Sequence, residues 1–142
     1  MGEVSMEDYT GQSVKGYTLT ERIGAGGFGA VYLAQQSNVD REVAVKIILP
    51  HFTSQPEFIR RFEQEAQLIA RLEHLHIVPL YDYWRDPDGA YLIMRRMRGG
   101  SLRDALNDGP FDPSSCALLI DQISMALSFA HQNQVIHRDL KP

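Results

Sequence analysis

A glycine-rich turn between two strand-like runs constrains this chain more than any other feature of its sequence. The glycines follow the pattern Gly24-x-Gly26-x-x-Gly29, and residues 17–23 and 31–34 on either side have the apolar character of strands. A dinucleotide-binding fingerprint requires a helix after the glycines, and a Walker A loop requires a final Gly-Lys-Ser/Thr. The sequence has neither. The segment is interpreted as a β-hairpin whose turn brings backbone N–H groups close to a phosphate, or as a tight hairpin without a ligand.

Composition limits the class of protein. The chain has 142 residues, 44% of them hydrophobic, and a net charge of -4, which is typical of one globular domain. Weak acidity argues against wrapping nucleic acid or lying on an anionic membrane. The single cysteine, Cys116, excludes an internal disulfide, and its place on an apolar helix face predicts a core position. Without an apolar run of membrane-spanning length or a signal-peptide pattern at the N-terminus, we expect a cytoplasmic protein.

The remaining strand and helix signals follow an order typical of a small α+β unit. Strands are expected at residues 17–23, 31–34, 42–49, 77–84 and 90–97. Helices are expected at 56–72, 101–106 and 112–131, with a short strand at 135–137. We therefore predict a five-stranded antiparallel sheet with one inserted helix, followed by the first helices of a second unit.

One lysine in the third strand needs a partner. Alternation places Ala44 and Lys46 on the same face of the sheet, and an isolated lysine on a covered face is costly. In the next helix, Glu65 occupies a position in the apolar stripe. This pattern predicts a buried or half-buried Lys46–Glu65 ion pair. The alternative is that Glu65 lies at the margin of the stripe and is solvated, as most glutamates are.

The chain ends in His-Arg-Asp-Leu-Lys-Pro at residues 137–142. Combined with the glycine turn, the Val-Ala-Val-Lys run ending at Lys46, and Glu65, this resembles the signature set of protein kinases. The resemblance covers residues 17–142 and is to the N-terminal portion of the catalytic domain of bacterial, eukaryotic-like serine/threonine kinases. It implies a truncated kinase fold that comprises the small lobe, with its five-stranded sheet and C helix, and the first helices of the large lobe.

The resemblance also implies the site residues. Nucleotide would be bound by Ile23, Gly24, Ala25, Gly26, Gly27, Phe28, Gly29, Val31, Ala44, Lys46, Met94, Arg95 and Met97. Among the residues implied in catalysis, Asp139 would accept the proton of the substrate hydroxyl, and Lys46 would hold the α- and β-phosphates with Glu65 as its partner. Lys141 matches the family's usual sign of serine/threonine specificity. The implied cofactors are ATP and Mg²⁺.

The implied organisation is a flexible tail at residues 1–16 and a partial kinase domain at 17–142. Its small lobe would be 17–97, its hinge 95–100 and the start of its large lobe 101–142. The metal-binding Asn and Asp-Phe-Gly of the family would lie beyond Pro142, so we expect no metal ligand in this segment and no turnover by the segment alone. The hinge departs from the usual acidic–aromatic pair, because Arg95 and Arg96 occupy it.

The expected partners are ATP and a protein substrate with a Ser or Thr hydroxyl. Nucleic acid and membrane contact by this segment are not expected, while activation through a dimer and anchoring of the parent protein to a membrane are compatible with the resemblance. Two other functions stay open. A pseudokinase or scaffold would bind nucleotide without catalysis, although Lys46, Glu65 and Asp139 are all present. A small-molecule kinase on the same fold is disfavoured by Lys141 and the full glycine loop.

Overall fold

The computed structural model of the chain describes residues 7–26 and 29–142. The strands are β1 (Ser13–Val14), β2 (Tyr17–Gly26), β3 (Gly29–Gln36), β4 (Arg41–Ile48), β5 (Leu80–Asp86) and β6 (Gly89–Arg95). The helices are α1 (Pro50–Thr53), α2 (Pro56–Ala70), α3 (Leu102–Asn107) and α4 (Pro113–Gln132). Contacts divide the chain into two compact units, one formed by the described residues up to Gln64 with Leu80–Arg96, the other by Glu65–Pro79 and Met97–Pro142.

All strands of the first unit form one antiparallel sheet in the order β1-β2-β3-β4-β6-β5. The predicted α+β class and the five long strands are confirmed, and β1 is an additional two-residue strand at the edge. The fourth predicted strand begins three residues later than expected, at Leu80. Residues 135–137, expected to form a strand, have no regular secondary structure.

The main core lies on one face of this sheet. Alternation along β4 buries Val43, Val45 and Ile47, while Lys46 between them is exposed. Tyr32 and Ile93 contribute fully buried side chains to the same cluster from the neighbouring strands. The opposite face carries a second, smaller cluster, in which the α2 residues Phe58 and Phe62 pack with these sheet residues: Ile48, Tyr83, Ala90 and Leu92.

Aromatic stacking connects β2, the strand next to one edge of the sheet, with β5, the strand at the other edge. Trp84 of β5 stacks on Tyr91 of β6 at 4.9 Å between ring centroids and on Tyr17 of β2 at 5.9 Å. The ammonium group of Lys15 lies 4.8 Å from the centroid of the Trp84 ring, within cation–π range. Because β2 and β5 are not neighbours in the ladder, the sheet must curl to bring these rings together.

Within the segment expected as a flexible tail, 1–16, residues 9–16 make contacts with the sheet, while residues 1–6 lie outside the described part of the chain. The backbone N–H of Tyr9 donates to the Tyr32 hydroxyl at 3.2 Å, and the two rings meet edge to face. Backbone bonds extend this attachment, since Gly11 donates to Leu19 at 2.8 Å and Leu19 donates to Gln12 at 2.9 Å. Tyr9 anchors the segment because its half-buried ring packs against the core.

In the second unit, side-chain caps fix the starts of the helices. Ser101 and Asp104 form a reciprocal capping box at α3, and Asp112 accepts the Ser115 N–H at 2.8 Å at the start of α4. Both starts match the sequence expectation. The core position predicted for Cys116 is wrong, since its side chain is exposed on the first turns of α4. The helix is buried chiefly near its C-terminal end, at Ala130.

Candidate functional site

The face of the sheet opposite the main core brings together four of the predicted nucleotide-binding residues. Val31 of β3 lies opposite Lys46 of β4, and Ala44 of β4 lies opposite Met94 of β6. Cross-strand partners share a face, and residues two apart on a strand also share one. The four side chains therefore form a compact patch on adjacent strands. Within it Val31, Ala44 and Met94 are half-buried, while the Lys46 side chain is exposed.

The glycine turn borders this patch, and its glycines differ in what they are needed for. A Cβ on Gly29 would overlap the carbonyl oxygen of Ile47, so the fold itself requires glycine at this position. A Cβ on Gly26 would meet no described atom within 4 Å, and one on Gly24 would make only ordinary contact with Val31. The space beside these two glycines is consistent with close approach of a phosphate to the backbone. Gly27 and Phe28 lie outside the described residues.

Ile23 and Ala25 flank Gly24 on β2. A register shift falls between Arg22 and Gly24, which leaves Ile23 in an irregularity of the ladder with its side chain 51% exposed. Ala25 pairs with Ala30 across the hairpin. An exposed apolar side chain next to the glycine turn fits the expected contact of Ile23 with an aromatic base, since such a contact would remove it from water.

Lys46 and Glu65 do not show the predicted burial. The Lys46 side chain is exposed on β4, and the Glu65 side chain is exposed on α2, where Ala66 takes the buried position of the helix instead. The physical reason is the angular position of Glu65, which lies at the margin of the apolar stripe, as the alternative interpretation stated. Lys46 belongs to the first unit and Glu65 to the second, and their pairing stays a prediction.

The predicted hinge begins where β6 ends. Met94 and Arg95 are the last residues of β6, with Arg95 exposed, and Met97 is 63% exposed. Arg96 forms an ion pair with Glu42 of β4. The sequence places Arg96 in the hinge beside Arg95 but does not reveal this pair, because only the register of β4 against β6 identifies Glu42 as its neighbour.

The His-Arg-Asp segment adopts a tight, hydrogen-bonded turn within the second unit. Arg138 has a φ of +63°, which is uncommon for a residue other than glycine and is often found at functional sites. The Asp139 N–H donates to Nδ1 of His137 at 3.2 Å. The Lys141 ammonium group lies 3.2 Å from the Asp139 carboxylate. The turn thus presents a carboxylate and an ammonium group side by side, both exposed to solvent.

Two other kinds of feature are absent from the described residues. No group of three or more His, Cys, Asp or Glu side chains within 7–26 and 29–142 is placed to hold a metal ion. None of the helices in the same ranges is long and apolar enough to cross a membrane.

Comparison with known proteins identifies the family. A family model described as "Protein kinase domain" matches residues 17–142. The chain belongs to the protein kinase family. Among curated proteins, it is 40% identical over 134 residues to the serine/threonine-protein kinase PrkC of Bacillus subtilis, with 93% of this chain and 21% of PrkC covered. It is 38% identical over 151 residues to PknA of Corynebacterium glutamicum, with 98% of this chain and 32% of PknA covered.

Solved kinase structures show the same fold. The PknI kinase domain of Mycobacterium tuberculosis matches with a TM-score of 0.79 and 30% identity, covering 94% of this chain and 55% of that one. A second crystal structure of the same domain matches with a TM-score of 0.83 and 28% identity, covering 94% and 54%. This kinase chain therefore spans about a fifth to a third of the curated relatives described above and just over half of these solved domains. The predicted family and fold are confirmed.

Proposed function

We propose that this chain carries the ATP-binding part of a serine/threonine protein kinase, which transfers the γ-phosphoryl group of ATP to a Ser or Thr hydroxyl of a protein. The observation that carries the proposal is the patch on one sheet face formed by Val31, Ala44, Lys46 and Met94 beside the glycine turn. It combines an apolar floor with one ammonium group, which is the chemistry that a base joined to phosphates requires.

The described residues fit the nucleotide. The open space beside Gly26 leaves room for phosphate oxygens against the backbone. Ala44 adds only a methyl group to the apolar floor of the patch. When bound, ATP supplies the phosphoryl group and the leaving group of the reaction. In this proposal Ile23, Val31 and Ala44 enclose the base, and the hinge backbone at Arg95 and Met97 forms hydrogen bonds with its edge.

Charged residues have distinct roles in the proposal. The Lys46 ammonium group binds the α- and β-phosphates and is oriented by the Glu65 carboxylate. The Asp139 carboxylate accepts the proton of the substrate hydroxyl, acting as a general base. Lys141, 3.2 Å from Asp139, places a positive charge beside that carboxylate, where it can stabilise the transferred phosphoryl group.

Phosphoryl transfer also requires Mg²⁺, and in this proposal its protein ligands are outside the 142 residues. The family's Asp-Phe-Gly run does not occur in the sequence. We therefore expect the segment 1–142 alone to show no turnover, and the activity belongs to the longer protein. We also propose a cytoplasmic location for the segment, while the signal that activates the kinase is a matter for the longer protein.

The test uses the full-length protein with radiolabelled ATP and a generic Ser/Thr protein substrate. Lys46→Met should lower transfer by about a hundredfold or more, because the α- and β-phosphates lose their cation. Asp139→Asn should lower transfer by a similar factor while nucleotide affinity, measured by calorimetry, stays unchanged. Lys15→Met is the matched control, since Lys15 contacts Trp84 away from the patch, and it should retain activity.

The outcomes of this test distinguish a serine/threonine kinase from a pseudokinase and from a small-molecule kinase. Phosphoserine or phosphothreonine in the product supports a serine/threonine kinase. A wild-type protein that binds ATP but transfers no phosphate to protein would indicate a pseudokinase, and transfer to a small molecule alone would indicate the other enzyme class. Full activity of Lys46→Met would contradict the role assigned to the patch.

A further inference from the structure

The ion pair between Arg96 and Glu42 continues the β4–β6 register beyond the last paired residues. Met94 lies opposite Ala44, and Arg95 lies opposite Val43. One step further along both chains, Arg96 comes opposite Glu42. The ladder ends at Val43 and Arg95, so the side chains of the next pair connect the strands where backbone pairing has stopped.

This pair lies on the same sheet face as the candidate nucleotide patch. Glu42 is two residues before Ala44 on β4, and Arg96 is two residues after Met94 on the other strand, so alternation puts both on the face of Ala44 and Met94. The pair therefore borders the patch on the side away from Lys46. Its side chains are half-buried, with 29% exposure for Arg96 and 28% for Glu42.

Partial burial gives the pair more influence than a surface ion pair has. Opposite charges directly across two strands stabilise an antiparallel pairing, and the effect increases when water is partly excluded. Arg95, the neighbouring cation, is exposed on the other side of the strand. The ion pair thus neutralises Arg96 locally and attaches the first residue after β6 to the start of β4.

We propose that Glu42 and Arg96 form a positioning pair, which holds the hinge backbone at residues 95–97 in place for hydrogen bonding to the base of the nucleotide. The inference rests on the proposed ATP-binding function and assigns neither residue a contact with the reacting atoms. The pair acts on nucleotide affinity: it fixes the backbone before the ligand arrives, so that less conformational entropy is lost on binding. It also neutralises one of the two positive charges of the predicted hinge, Arg95 and Arg96.

The experiment is a double-mutant cycle in the full-length kinase with Glu42→Gln, Arg96→Gln, the double variant and the charge swap Glu42→Arg with Arg96→Glu. KM for ATP, kcat and the dissociation constant of ADP are measured for each. Each single variant should raise the ADP dissociation constant and KM by about two- to fivefold with kcat unchanged. The double variant should be no worse than the worse single variant, and the swap should restore most of the affinity.

Glu63→Gln is the matched control, because Glu63 forms an ion pair with Arg85, at 3.9 Å, between α2 and β5. It should leave KM and the ADP dissociation constant unchanged. The positioning role is overturned if the single variants bind ADP as the wild type does, or if kcat falls with KM unchanged. Loss of thermal stability without loss of affinity would show a purely structural pair and would also overturn it.

Failure of this inference is distinguishable from failure of the proposed function. If the wild-type protein neither binds ADP nor transfers phosphate, the proposed function is wrong and the positioning role falls with it. If the wild type is active and only the cycle shows no coupling, the function stands and the positioning role alone is wrong. If one single variant fails to fold, the charge-swap variant tests the positioning role in its place, because it keeps one positive and one negative side chain at the paired positions.

Discussion

Gly29 of β3 lies directly against the backbone of Ile47 on β4, so that a Cβ on Gly29 would overlap the Ile47 carbonyl oxygen. The packing of β3 against β4 thus requires a glycine at Gly29, the last glycine of the turn. Gly26, across the hairpin from Gly29, has no described atom within 4 Å of a Cβ position. One motif therefore combines a glycine that the fold needs with a glycine that the fold does not need.

Replacing these two glycines by alanine should have different consequences for stability. Gly29→Ala should lower the free energy of unfolding by about 1–3 kcal/mol, because the strands must separate to admit the methyl group. Gly26→Ala should change it by less than about 1 kcal/mol, since the methyl group enters open space. Chemical denaturation of both variants measures the difference. Equal destabilisation would contradict the close approach of Gly29 to Ile47.

The Tyr91 phenol should titrate at unusually high pH. Burial, together with the negative charges of Asp86 and Asp88, raises the pKa of Tyr91 from 10.0 to about 12. A raised pKa means that the neutral phenol favours the folded state, so its contribution to stability is complete below pH 10 and is lost as the pH rises towards 12.

Difference absorbance at about 295 nm, compared between wild type and Tyr91→Phe, isolates the ionisation of this group. The absorbance change that the wild type shows and Tyr91→Phe lacks should have its midpoint about two pH units above the pKa of a free tyrosine. A step at the ordinary pKa of tyrosine would contradict the burial of Tyr91 in the curled sheet.

The start of α4 should respond to acid through its capping carboxylate. Hydrogen bonds from Ser115 lower the pKa of Asp112 below 3.8. A lowered pKa means that the cap stabilises the helix fully above pH 3.8 and loses its effect as the pH falls through the lowered value. Asp112→Ala should lower the melting temperature at neutral pH, because the Ser115 N–H loses its acceptor.

Asp112→Asn is the matched variant for this prediction. Its amide oxygen can accept the same hydrogen bond without a charge, so it should retain most of the stability and lose the acid-dependent part. Circular dichroism melts between about pH 2 and pH 7 measure both effects. If the melting temperatures of wild type and Asp112→Asn depend on pH in the same way, the ionisation of Asp112 does not cause that dependence.

The N-terminal segment should lose protection when its aromatic anchor is removed. Tyr9→Ala deletes the edge-to-face contact with Tyr32. The amides of Gly11 and Leu19, which bond across this segment, should then exchange about tenfold faster. Thr10→Ala is the control, because the exposed Thr10 hydroxyl bonds to Asp8 outside the core. Unchanged exchange in Tyr9→Ala would show that Tyr9 does not hold the segment.

Local patterns in the sequence determined most of the fold. Alternation along residues 42–49 predicted which side chains of β4 share a face, although not that Lys46 is exposed, and the pattern at residues 112–131 predicted the start of α4. The order of four motifs, from the glycine turn to the His-Arg-Asp segment, predicted the family. These features could be predicted from the sequence because each depends on residues close together in the chain or on a spacing that the backbone geometry imposes.

Contacts between residues that are far apart in the sequence were decided by the tertiary structure alone. Tyr9 joins the core because Tyr32, 23 residues later, presents its ring and hydroxyl there. Arg96 is neutralised because the β4–β6 register brings Glu42 opposite it, and Glu65 is exposed because Ala66 takes the buried position on α2. Helical and strand periods restrict which residues share a face, whereas strand register and the exact rotation of a helix are set by packing against the whole unit.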